Sequence, residues 1–162
     1  MLIRENQIMK IITASLFVFS ALTAGIVYSH SGATGVVKER MDAMADMGDK
    51  SKLVADMFKG KVEFDRNALV DAANAFALHG TRMAEQFPDT EESRTGSKTE
   101  ALPRIWEEWD DFSKKVVEFV ELSESLKDIV STTEDERQLK KAFFQTTKSC
   151  SGCHKRFRKP KE

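Results

Sequence analysis

Cys150 and Cys153 are the only two cysteines of the 162-residue chain, and His154 follows the second at once: Cys-Ser-Gly-Cys-His. Three chemistries use such a set. A structural zinc site needs four ligands, usually a second Cys or His pair, and the remaining histidines, His30 and His79, stand alone. A thioredoxin-like redox pair sits at a helix start beside a strand, whereas this pair lies near the end of the last helical pattern. The third is covalent attachment of haem c, of which Cys-x-x-Cys-His is the signature. On a helix, positions i and i+3 share a face, so two sulfurs can reach the two vinyl groups of one porphyrin. His154, at i+4 from Cys150, projects from the same side and can put a nitrogen on the iron as the proximal metal ligand.

These residues need a helix to carry them and an apolar slot to receive a porphyrin. Past residue 33 the apolar spacing is helical throughout. A first segment, Thr34 to Lys59, carries Val37, Met41, Met44, Ser51, Ala55 and Phe58 on one stripe, and Gly60 is a natural stop. Asp65 can cap a second, Arg66 to about Gln86, with Leu69, Ala73, Phe76, Gly80, Met83 and Phe87 in line and Pro88 beyond. Residues 89–100 are polar without period and read as a loop. Pro103 opens a third segment, with Ile105, Trp109, Phe112, Val116, Phe119, Ser123, Leu126 and Val130 spaced over seven turns. Thr133 and Glu136 suggest a capping box for the fourth, whose stripe is Leu139, Phe143, Thr146, Cys150, Cys153 and Phe157. Four such segments predict an all-α fold, an antiparallel up-down four-helix bundle over residues 34–159 with covalently attached haem. Met41, Met44, Phe76, Met83, Trp106, Trp109, Phe112, Phe143 and Phe157 are available to wall the slot. His79 is expected at the surface or at a helix cap.

Residues 1–29 differ from the rest. Arg4 and Lys10 precede an uncharged run from Ile11 to Ser29, followed by small and polar residues. This pattern is that of a secretory signal; an uncleaved membrane anchor is the rival, since the run approaches the ~20 residues that span a bilayer. A bacterial periplasmic location is expected, with membrane association only if the segment is retained. Without it the chain has 23 basic and 25 acidic side chains, a balance that offers nothing to nucleic acid. No Ser-His-Asp set, paired buried carboxylates or glycine-rich phosphate loop is evident, so a non-enzymatic role is expected.

With the residues in place, the sequence resembles the class II cytochromes c, the cytochrome c-prime family. "CSGCHKRFR" matches its attachment motif through Phe157 and Arg158, "KERMDAMADMG" its distal segment, and "QFPDT" and "LPRIWEEWDDF" its inter-helix turn and third-helix start. The resemblance implies a one-electron carrier with one haem per chain. Counting back four from Gly48, it implies Met44 as the second axial ligand, with Met41 and Met47 as neighbours in register. It also implies that Arg40 meets a haem propionate, and that Met41, Trp106, Phe157 and Arg158 lie around the cofactor. The alternative is a five-coordinate member that binds nitric oxide or carbon monoxide. Redox proteins are the expected partners; the basic tail "KRFRKPKE" either steers an acidic one by long-range charge or simply complements the helix dipole, and the resemblance allows a homodimer through the first two helices.

Overall fold

The computed structural model describes residues 32–160; the proposed signal segment, 1–29, lies outside the described residues. Four long helices dominate: α1 (Gly35–Phe58), α2 (Arg66–Arg82), α5 (Trp109–Thr132) and α6 (Glu136–Phe157). Two short ones, α3 (Glu91–Thr95) and α4 (Arg104–Glu107), lie in the long connection between α2 and α5. The chain is all-α, as expected.

Local chemistry sets most of the ends. Gly60 closes α1 in the left-handed region at φ +70°, and its amide reaches back to the Met57 carbonyl. The Asp65 side chain accepts from the Asn67 amide and starts α2. The start of α6 is a correction: the cap is Asp135, which accepts from the Arg137 amide. The Thr133 hydroxyl instead accepts from the Asp135 amide and shapes the approach to the cap.

The third segment is not one continuous helix. It breaks at Glu108 (φ −121°, ψ 46°) between α4 and α5. The break turns Trp109, expected on the inner stripe, out to 38% exposure. From Phe112 to Val130 the expected stripe is buried.

Around the bundle, α1 packs on α2, α2 on α5 and α5 on α6, while α1 and α6 approach only sparsely. Phe76, Phe119 and Phe143 fill the centre, with Phe76 stacked on Phe143 at 6.4 Å between ring centroids. A Cβ at Gly80 would stand 3.2 Å from two carbons of the Phe119 ring, so α2 and α5 are fitted close there. The remaining side of the bundle, between α1 and α6, is a slot.

That slot explains a second correction. The buried face of α1 is Val37, Arg40, Ala43, Met47, Val54, Met57 and Phe58. Met41, Met44 and Ser51, expected in the core, are half-buried. They border the slot rather than the helix–helix contact.

Candidate functional site

Cys150, Cys153 and His154 lie in the last two turns of α6, all half-buried, and the two cysteines pack against the core as free thiols. Burial pushes both thiols up, Cys153 to about 11 with a further push from the neighbouring Cys150. The helix C-terminus adds partial negative charge on the same side. A thioredoxin-like nucleophile requires a depressed thiol pKa, so this environment opposes that chemistry.

Two cavities open along the α1–α6 slot. One, of about 240 Å³, is lined by Met44, Met47, Gly48, Ser51, Phe76, Met83, Phe119, Cys150, Cys153 and His154, among others. The other, of about 500 Å³, is lined by Arg40, Met41, Met44, Gly48, Met83, Phe87, Ile105, Phe112, Cys153, His154, Phe157 and Arg158, among others. Both run from the α6 face bearing His154 to the α1 face bearing Met44. The walls are mainly apolar, with methionine and phenylalanine side chains in both cavities, Lys115 at the first and Glu100 at the second, and both thiols and the imidazole come from α6; this fits a haem tethered to α6. Bound there, haem would supply the iron, and His154 would hold it. Met41 and Met47 each line one cavity, whereas Met44 lines both.

The second cavity carries charge at its end. Arg40 is only 4% exposed. Its guanidinium donates to the Ser93 hydroxyl (3.0 Å), the Ser93 carbonyl (2.7 Å) and the Thr99 hydroxyl (2.5 Å), and it lies 4.9 Å over the Phe87 ring. Burial pushes its pKa down, yet no arginine of this kind loses its charge, so a cation held by neutral acceptors faces the slot. Such a cation suits an acidic group of a bound cofactor.

The partners of Arg40 come from the stretch read as a featureless loop. Thr90 caps α3 by accepting from the Ser93 amide, and Ser93 is fully buried. The signal was present: a Thr followed by Glu91 and Glu92 is a helix start. The same stretch grips the chain after α6. Leu102 donates to the Phe157 carbonyl, Lys159 to the Glu100 carbonyl, and Arg158 pairs with Glu100.

Phe157 and Arg158 thus lie at the slot. Trp106 does not line either cavity. Its indole donates to the carbonyls of Phe87 and Pro88 at 3.1 and 3.2 Å, and Arg94 lies 5.0 Å over its ring. Buried beside Phe87, it fixes the turn there through these two bonds. His79, partly exposed in the last turn of α2, has Nε2 2.9 Å from Asp46 on α1 and so links two helices.

Residues 35–158 match the family model described as Cytochrome C′. The chain belongs to the cytochrome c′ family. It is 32% identical to a cytochrome c′ of Rhodopseudomonas palustris over 87% of this chain and 96% of that protein. It is 30% identical to a cytochrome c-556 of Agrobacterium fabrum over 93% of this chain and 95% of that protein. A solved structure of R. palustris cytochrome c′ superposes with a TM-score of 0.70 at 29% identity, covering 80% of this chain and 99% of that one. The four long helices are therefore those of a cytochrome c′ bundle, and the chain is a c-type haem cytochrome with a covalently bound haem c and its iron.

Proposed function

We propose that this cytochrome binds a diatomic gas, nitric oxide or carbon monoxide, at the haem iron, with His154 as proximal ligand and Met44 on the gas side. The observation that carries it is the cytochrome c′ match across 35–158, a span that includes both the distal segment and the attachment motif. The sequence alone put electron carriage first; membership of this family favours the gas-binding alternative. The residues act as holders rather than catalysts: the two cysteines tether, His154 ligates, Arg40 neutralises an acidic group, and the apolar walls exclude water.

Electron carriage with both His154 and Met44 on the iron is the second reading. It is favoured by one observation, the thioether of Met44 bordering both cavities together with His154. A thioether is a soft ligand that raises the potential of haem iron.

One set of spectra separates them. Gas binding expects a high-spin ferric spectrum and carbon monoxide uptake by the ferrous protein. A red-end band from sulfur-to-iron charge transfer, lost in Met44→Leu, with no uptake by the wild type, would reverse the order.

We also propose that the protein is exported and works in the periplasm, on the basic-then-apolar pattern of residues 1–29. Among the described residues no helix is long and apolar enough to cross a membrane. A mass spectrum of the purified protein starting near residue 30 is the expected result; one starting at Met1 would defeat the reading.

A further inference from the structure

The two tryptophans of the chain, Trp106 and Trp109, line one cavity that is separate from the haem slot. It measures about 390 Å³ and opens where α4 breaks into α5. Phe87 is the one lining residue it shares with the slot. Both indoles are held in place. Trp106 is tied by its bonds to the Phe87 and Pro88 carbonyls, and Trp109 rests against the Phe112 ring, 5.4 Å between centroids. The ionisable residues of the lining are Glu85 and Asp89, both exposed carboxylates.

One cation is already drawn to this edge. Arg94 donates to Asp89 and lies 5.0 Å over the Trp106 ring, so an indole and a carboxylate together hold a guanidinium. Trp109 and Glu85 offer the same two groups to the same cavity. Glu85 makes no ion pair or hydrogen bond among the described residues. Aromatic faces attract cations through the ring quadrupole, tryptophan best of all. A metal ion would need several oxygen ligands, which two carboxylates among apolar rings do not supply. A quaternary ammonium has no N–H to satisfy and spreads its charge over methyl groups, so rings and a distant carboxylate suffice.

We propose that this cavity binds a small quaternary ammonium cation of the choline class. Its methylated head lies against Trp109, Trp106 and Phe87, and Glu85 and Asp89 counter its charge. The site is independent of the ligand that the iron takes.

The experiment uses the isotope-labelled ferrous holoprotein under carbon monoxide. The iron is then diamagnetic whether the gas or the Met44 thioether completes it, so failure of the gas-binding reading leaves the test intact. Choline is titrated while the two indole N–H signals are followed by NMR; Trp109→Leu removes one of them and so assigns both. Both signals are expected to move saturably in the wild type. The midpoint is expected to rise about fivefold in Trp109→Leu, the worth of one cation–π contact. In Glu85→Gln it is expected to rise about twofold at low salt and less at high salt. The neutral isostere of choline, with a quaternary carbon in place of the nitrogen, is expected to move the signals little. No saturable movement with choline would overturn the inference. So would equal movement with the neutral isostere, which would mark a merely apolar pocket. If Trp109→Leu does not hold haem, Glu85→Gln at its exposed position and the isostere decide; a midpoint unchanged by Glu85→Gln at low salt would then sink the idea.

Discussion

Arg40 is the one charged side chain that is buried among the described residues. It is a buried cation satisfied by a hydroxyl, a carbonyl and a second hydroxyl rather than by a carboxylate. Arg40→Leu removes the charge and takes the guanidinium donor from the Ser93 carbonyl and hydroxyl, while the Thr99 hydroxyl keeps the Ala101 amide. The loss is expected to be on the order of 3 kcal/mol, lowering the melting temperature by roughly 10 °C in a circular dichroism melt. An unchanged melt would show that water replaces the guanidinium without penalty. The two cysteines give a sharper expectation. Cys150→Ser/Cys153→Ser removes both thioethers, so acid–organic extraction should strip the haem completely, while the wild type keeps it through denaturing electrophoresis.

The elements are held in register by contacts the apolar stripes do not reveal. Asp65 caps α2 at the turn from α1, and Asp65→Ala is expected to cost about 1 kcal/mol, read as a lower denaturant midpoint with unchanged slope. Asp46 of α1 links to α2 through His79 and also pairs with Lys50 on its own helix. Burial pushes the Asp46 carboxyl up, but the hydrogen bonds from Lys50 and His79 outweigh it and hold the carboxyl below its ordinary value. A depressed folded-state pKa stabilises the fold above the unfolded value and is lost as pH falls through the folded one. Stability is therefore expected to decline below about pH 4, and Asp46→Asn to flatten that part of the profile. A chemical-denaturation series from pH 6 to pH 3 measures it. The variant tracking the wild type throughout would remove Asp46 from the account.

For the whole molecule, the basic tail matters less than its composition suggests. Arg156 is held by Glu108 and Asp111, and Arg158 by Glu100. The local charge is largely cancelled, so steering by the tail should be weak. The rate of reduction by an anionic small-molecule reductant is expected to change little between low and physiological ionic strength. A steep fall would restore the tail as a docking surface.

The motif Cys150-x-x-Cys153-His154, the four helical segments and the stripes of α2, α5 and α6 were legible from spacing alone, because 3.6-residue periodicity and a tether both act between near neighbours in the chain. Gly60 and Asp65 were legible for the same reason: each sets its own backbone. The tertiary structure alone decided the rest. It rotated α1 so that Arg40 and Met47 are buried while Met44 borders a slot, because α1 contacts α2 on one side and faces α6 across a gap on the other. It broke the third segment at Glu108 and set Trp106 beside Phe87. It also turned a polar stretch, residues 89–100, into the partner of Arg40 more than fifty residues away. Hydrogen bonds of that span depend on where helices come to rest against one another, and no local periodicity encodes it.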